Sequence, residues 1–529
     1  MMFDRLVVWF ENYKGPRMFG VDVLLVANAL SLVLVIALGN LGKLPFHNTG
    51  DFLFLSLLFL LFALYRPAWA FLSFISVLPF EIVNLAPAVF PLNLRPYQWF
   101  GALILLALVA HFVRGKFSSR MVRFHFVDSF PVLIVLGGFL GAAAAPAPHA
   151  ALRQAVIVLS FGLLYALARV FIRTMDDLHM VLRFLFVSSI LVAMYAIIQN
   201  LRFLAGHVSF ETMPGRPNGT FPEPDWLGMY LVLFGAMLFS AGQMLSLRKD
   251  DGTRVIRMLW HPVLFAVSTL FFAVLLMTVA RSAWLGVAAT LLVSVATFVC
   301  RMRGVRAPIT HVTATAGSFI LALALVVLIP LTRFDLLGRA GSVGSGLQQI
   351  TVACDSADTM LPATLHSMIE LQSNGCRQID LEAVGMEKAA GRSIMTVSRP
   401  DPSTDIRREI YAKSFGEIRN HPLLGIGWGS MSAILGMDEN GHALNASNMF
   451  LDVWLGSGLL GMIGLLGFLG TILVRTALSF RAEHGLGSAF ILSAFVGLLV
   501  ANLFNAGLLQ GYVWILFAMG AMTATRETK

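Results

Sequence analysis

Apolar runs of roughly 17–25 residues, almost free of charge, recur from one end of this chain to the other, and no soluble fold can hide so many of them. The 529 residues are 57% hydrophobic and only 13% charged, about half the ~25% of charged residues in soluble domains. So few charges cannot coat a soluble surface of that size, and a disordered or collagen-like chain is excluded by the same figures. A bilayer core near 30 Å takes about 20 helical residues at 1.5 Å each, and each span must satisfy its own backbone hydrogen bonds. Runs fall near 21–39, 51–65, 67–80, 97–113, 127–145, 153–172, 179–200, 225–246, 258–280, 282–300, 309–330, 449–475, 487–506 and 508–524. The pattern predicts an all-α polytopic membrane protein with about 14 transmembrane helices, 12–14 given the short pair parted by Arg66-Pro67.

Lys and Arg concentrate in cytoplasmic loops. Clusters at Arg114–Arg123, Arg248–Arg257 and Arg301–Arg306, with Arg173, Arg475, Arg481, Arg526 and Lys529, all fall on one side if the spans are counted as above. Of the 38 basic residues, about 22 lie on that side, ~6 in short opposite loops and ~10 in one long loop. Both termini are therefore expected inside, and the net charge of +9 needs no nucleic-acid partner. The first apolar run has no small-residue cleavage site after it and reads as a span rather than a leader. The segment ahead of it, with Phe3, Val7, Trp9 and Phe10, suits the inner membrane surface.

Residues 331–446 break the rhythm: they are polar, contain no spanning run and lie outside by the same count. The expected organisation is an N-terminal bundle over 1–330 with about 11 helices, an extracytoplasmic loop domain over 331–446, and about three C-terminal helices over 447–529. Cys354 and Cys376 share the outer segment, where an oxidising compartment favours a disulfide between them.

The chain has no GxxxxGK[ST], HExxH, CxxC or GxSxG, which removes the ATP-motor, common zinc, dithiol and serine-hydrolase readings. What remains lies at the outer face. Residues 258–300 as one helix would be about twice the bilayer core in length, so they fold back at Ala280-Arg281-Ser282. Arg281 there can snorkel or grip phosphate oxygens bidentately. A proline-stiffened outer loop, Gly215 to Asp225, presents Arg216 at the same depth, with Asp225 a natural N-cap for the helix that follows. The third element is His421-Pro422-Leu423-Leu424-Gly425-Ile426-Gly427 after an amphipathic helix from about Thr404 to Asn420, which carries Arg407 and Arg408. Beyond it His442, Asn445, Ser447, Asn448 and Asp452 cluster where the chain returns to the membrane. A histidine there can accept a proton near neutral pH.

Four of these segments, in order, resemble the O-antigen ligase and polymerase superfamily of bacterial membrane glycosyltransferases. They are Arg216–Phe221, Ala280-Arg281-Ser282-Ala283-Trp284-Leu285-Gly286, His421–Gly427 and Asn448–Gly461. The resemblance covers about Arg216 to Gly464. It implies transfer of a glycan from a polyprenyl diphosphate to an acceptor hydroxyl at the periplasmic face, in O-antigen ligase fashion. The alternatives are a polymerase of O-antigen or exopolysaccharide repeat units, or a lipid-linked sugar flippase. A flippase would call for ionisable groups at mid-bilayer and repeated halves, which the sequence does not display.

By resemblance Arg216 and Arg281 bind the diphosphate, and His442 is the first choice of base, with Glu223, Asp438 and Asp452 as rivals. Asn218, Thr220, Asn445, Ser447, Asn448, Arg407 and Arg408 are the substrate-binding candidates. The family histidine directly precedes the Asn matching Asn448, whereas here that place holds Ser447. Residues 345–398 read as an insertion relative to compact members. No metal or cofactor is implied. The expected partners are the lipid-linked donor, a glycan or glycolipid acceptor, membrane lipid and other polysaccharide-assembly proteins. The expected home is a bacterial inner membrane.

Overall fold

The structure, a computed structural model, describes residues 18–87, 89, 94–115, 124–207, 215–247, 254–302, 306–329, 331–332, 336, 347–356, 361–362, 364–365, 368–379, 384–400, 402–436 and 445–525. The amphipathic N-terminal segment, His442 and Asp438 lie outside the described residues.

The N-terminal helices are α1 (Met18–Asn40), α2 (Thr49–Tyr65), α3 (Pro67–Ser76), α4 (Pro96–Val113), α5 (Ser129–Ala143), α6 (Pro148–Phe171) and α7 (Met175–Leu204). They are followed by α8 (Pro224–Leu247), α9 (Arg254–Thr278), α10 (Arg281–Arg301) and α11 (Arg306–Leu328). Between α11 and the next long apolar helix lie β1 (Leu347–Cys354), α12 (Met368–Ser373), β2 (Cys376–Gln378), α13 (Val384–Ala389), β3 (Ser393–Pro400), α14 (Pro402–Asn420) and α15 (Met431–Leu435). The chain closes with α16 (Met449–Glu483), α17 (Leu486–Asn502) and α18 (Gly511–Ala524).

Each of the fourteen apolar runs coincides with a helix. Ten of the described helices are long and apolar enough to cross a membrane, and four more apolar ones have only 10–17 residues. Helix α3, with 10 residues, spans about 15 Å, half a bilayer core. Every residue of α18 is buried, so this short helix forms the centre around which α6, α16 and α17 pack.

The all-α expectation needs correction between α11 and α16, where the chain forms a three-stranded antiparallel sheet ordered β2-β1-β3. Ile350, Val352 and Cys354 alternate inward along β1 onto Leu365, Leu371 and Val397. Cys354 stands opposite Cys376 in the β1–β2 register, and the two are disulfide-bonded. An alternation over eight residues is invisible to a search for 20-residue apolar runs.

Helix α16 is broken at Gly458, whose φ of 61° lies in the left-handed region. In an unbroken helix the Leu459 amide would donate to the Leu455 carbonyl. Here the Leu455 carbonyl accepts from the Ile426 and Gly427 amides at 2.8 and 3.1 Å, and the Leu459 amide donates to Leu423 at 3.0 Å. The His421–Gly427 segment is thus spliced into the gap and satisfies both freed groups, as a break at membrane depth requires. Trp428 locks the splice, donating from Nε1 to Ser457 Oγ at 2.7 Å, while Ser457 donates to the Ile134 carbonyl of α5 at 2.9 Å.

Gly425 takes φ 69°, and a Cβ there would lie 2.3 Å from the Leu455 carbonyl oxygen. Gly425→Ala is expected to cost about 1–3 kcal/mol from backbone strain alone, with the clash added. Thermal unfolding in detergent reads this, and an unchanged midpoint would mean the splice is not held as described.

Candidate functional site

The loop before α8 is shaped from within. Asn218 is fully buried: its amide Nδ2 donates to the Phe221 carbonyl at 2.5 Å, and its Oδ1 accepts from Gln199 Nε2 at 3.1 Å. Gln199 Oε1 in turn accepts the Asn218 and Gly219 amides at 3.1 and 2.8 Å. Thr220, also fully buried, donates to the Pro79 carbonyl at 2.5 Å. Both residues, candidates for the substrate, hold the loop through these protein partners.

The result is a fixed Arg216. Its Nε donates to the Thr278 carbonyl at 2.9 Å, and its Nη2 meets Asp225 Oδ1 at 3.0 Å. Helix α8 begins at Pro224, with the Glu223 carbonyl accepting from the Trp226 and Leu227 amides. Asp225 therefore lies in the first turn and pairs with Arg216 rather than capping. Thr278 ends α9, and Arg281 opens α10, so both arginines meet at one break and one end of the bundle. Val279 within that break has φ 53°, an outlier for a β-branched residue of the kind that clusters at working sites. Arg281 itself is half-buried at the first position of α10.

Beside this break lies a cavity of about 140 Å³ whose walls come from four places. Glu223, Asp225, Trp226 and Met229 come from the start of α8, and Arg407 from α14. Asn445 and Ser447 come from the segment entering α16, and Phe504, Asn505, Ala506 and Gly507 from the turn between α17 and α18. Asn505 Nδ2 donates to Ser282 Oγ at 2.7 Å, tying the cavity to the residue after Arg281. Ser447 is held at φ 48° with its amide on Asn445 Oδ1 at 2.8 Å. The Tyr411 hydroxyl donates to the Ser447 carbonyl at 3.3 Å, and burial raises the pKa of this hydroxyl above its ordinary value.

Of the expected substrate contacts, Arg407, Asn445 and Ser447 line the cavity. Arg408 is exposed and does not line the cavity; successive residues on a helix point about 100° apart. Asn448 caps α16, its Oδ1 accepting the Phe450 and Leu451 amides at 2.9 and 3.2 Å, while Nδ2 donates to the Leu503 carbonyl at 2.9 Å. Asp452 is buried and accepts the Ala446 amide at 3.4 Å. Among the described residues no three His, Cys, Asp or Glu side chains gather as a metal ligand set.

The 504–507 wall escaped the sequence reading, though a signal existed. Residues 487–524 are too long for one span, and Asn502, Asn505 and Gly507 punctuate them, the same length argument that located Arg281. Asn448→Ala is expected to lower stability by about 1–2 kcal/mol through loss of the cap, read as a thermal midpoint. Asn448→Asp, which keeps the acceptor, should recover most of it.

Residues 265–466 match the model of a family described as O-antigen ligase. No curated protein matches the chain.

Proposed function

We propose, from this chain's membership of the O-antigen ligase/polymerase superfamily through residues 265–466, that it moves a glycan from a polyprenyl diphosphate carrier to an acceptor hydroxyl at the periplasmic face of a bacterial inner membrane. The observation that carries this reading is the meeting of Arg216 with the Thr278 carbonyl at the break opened by Arg281, next to a polar cavity. Both termini are taken as cytoplasmic and the 331–446 segment as periplasmic.

In the reaction the acceptor oxygen forms a bond to the anomeric carbon as the bond from that carbon to the phosphate oxygen breaks. The electron pair leaves with the diphosphate, and the hydroxyl proton goes to a base. Fixed guanidinium groups in a low-dielectric mouth stabilise the departing charge without needing to reorganise. Asp225 and the Thr278 carbonyl supply that fixity for Arg216. The guanidinium charges also make a metal unnecessary in this scheme. At about 140 Å³ the cavity is smaller than the ~300–1,000 Å³ of ordinary ligand sites, so it suits the reacting groups, with the glycan outside and the polyprenyl chain among the helices.

For the base, His442 is our first assignment, close in sequence to cavity-lining Asn445, and cavity-lining Glu223 is second. A placed base contributes about 10²–10⁴-fold. Ligase and polymerase readings share the donor chemistry and differ in acceptor.

Purified protein supplied with a polyprenyl-diphosphate glycan and either lipid A core or a second carrier-linked glycan distinguishes the two. Arg281→Ala should lower turnover by about 10²–10³-fold with an unchanged unfolding midpoint. Wild-type turnover in that variant would remove Arg281 from the site.

A further inference from the structure

A charged cluster lies behind the cavity, outside the matched residues. The Glu81 side chain is fully buried, with Oε2 2.5 Å from Arg95 Nη1 and 2.9 Å from the donating Tyr97 hydroxyl. Arg95 Nη1 also donates to that hydroxyl at 2.9 Å. Burial pushes the Glu81 carboxyl above its ordinary range while Arg95 pulls it down. With Glu81 buried and Arg95 partly exposed, such a pair is weak evidence for stability, since desolvation of the carboxylate offsets much of the attraction. A charged pair retained in the connection between α3 and α4 therefore calls for a function other than stability.

The connections of Glu81 supply such a function. Its amide and that of Ile82 both donate to the Thr220 carbonyl, each at 2.9 Å. Thr220 lies between Arg216 and cavity-lining Glu223, and its hydroxyl returns to Pro79. On the other side, Glu81 Oε1 accepts the Gly511 amide at 3.1 Å, anchoring the turn that ends the Phe504–Gly507 wall. The flanking Gln510 and Tyr512 are fully buried, yet among the described residues the Gln510 amide and Tyr512 hydroxyl have no hydrogen-bond partner, an arrangement that stability alone would not favour.

We propose that the Glu81–Arg95 pair is a positioning device that sets the spacing of the two cavity walls, so that Glu81 acts on transfer through Thr220 and Gly511 without touching substrate. The effect on transfer rests on the reaction proposed above; the effect on the walls does not. A misplacement of 1 Å remote from the chemistry can cost about 10²-fold in rate.

The test is Glu81→Met combined with Arg95→Met, which replaces the pair by apolar groups, in the full-length protein in nanodiscs. Expected are a thermal midpoint close to wild type, a kcat lower by about 100-fold, and faster amide exchange in peptides covering 215–223 and 502–510 but not 421–429. As a control, the Arg169–Asp128 pair, 2.9 Å apart and in neither wall, is replaced by Met and Leu; transfer by the folded control should stay at the wild-type rate. A double variant with wild-type kcat and wild-type exchange overturns the proposal, as does one that loses thermal stability while its folded fraction turns over normally.

Should the double variant not fold, Glu81→Gln keeps the shape and gives up the charge. A fall in kcat with an unchanged donor KM supports positioning there, and an unchanged kcat overturns it. If the wild type transfers nothing, the proposed reaction fails while exchange alone judges the device: loosened walls uphold it and unaltered walls end it.

Discussion

Backbone hydrogen bonding inside an apolar layer is the constraint on which this architecture depends. A helix buried among other helices may stop only where other parts of the chain take over its freed amides and carbonyls. Three breaks obey this rule. At Thr278–Arg281 the guanidinium of Arg216 takes the Thr278 carbonyl. At Gly458 the 421–427 segment takes both freed groups. Between α17 and α18, Asn502 accepts the Gly507 amide, Asn448 donates to Leu503 and Trp514 donates to Leu508. Two of the three flank the cavity, which is where interrupted helices can expose polar groups without leaving them unsatisfied.

The same rule explains what many of the polar residues near the cavity do. Asn218, Thr220 and Asn448 have the chemistry to bind a sugar; the hydrogen bonds of the first two shape the loop that carries Arg216, and those of Asn448 cap α16 and reach the Leu503 carbonyl. In an aqueous enzyme such loops could lean on solvent. Here the nearest donors and acceptors are side chains, and short polar residues are used to finish the backbone.

Much of this was legible beforehand. Nearly charge-free apolar runs mark helices almost irrespective of neighbours, so each of the fourteen runs coincides with a helix, ten of the described ones long enough to span, and the excess length of 258–300 located the turn at Arg281. What escaped depends on distant partners. Nothing local reveals that Glu81 will meet both Thr220 and Gly511, or that Leu423 will accept from Leu459. Asn505 and Gly507 resembled an ordinary turn until the α8 loop and Ser447 came to lie against them. The short strands fell below the length at which an apolar run is noticed. Arg407 and Arg408 show the residual ambiguity: composition nominates both, and only the rotational phase of α14 separates them.

The splice at Gly458 has a mechanical consequence for the segment between α11 and α16. Its last portion, from α14 through Trp428, is moored by hydrogen bonds to a point well below the mouth of α16. Rotation of α14 relative to α16 would have to tear those bonds where no water can replace them. The segment between α11 and α16 is therefore pinned at this end like a beam set into masonry, and Arg407 faces the cavity from a rigid bracket rather than from a swinging arm.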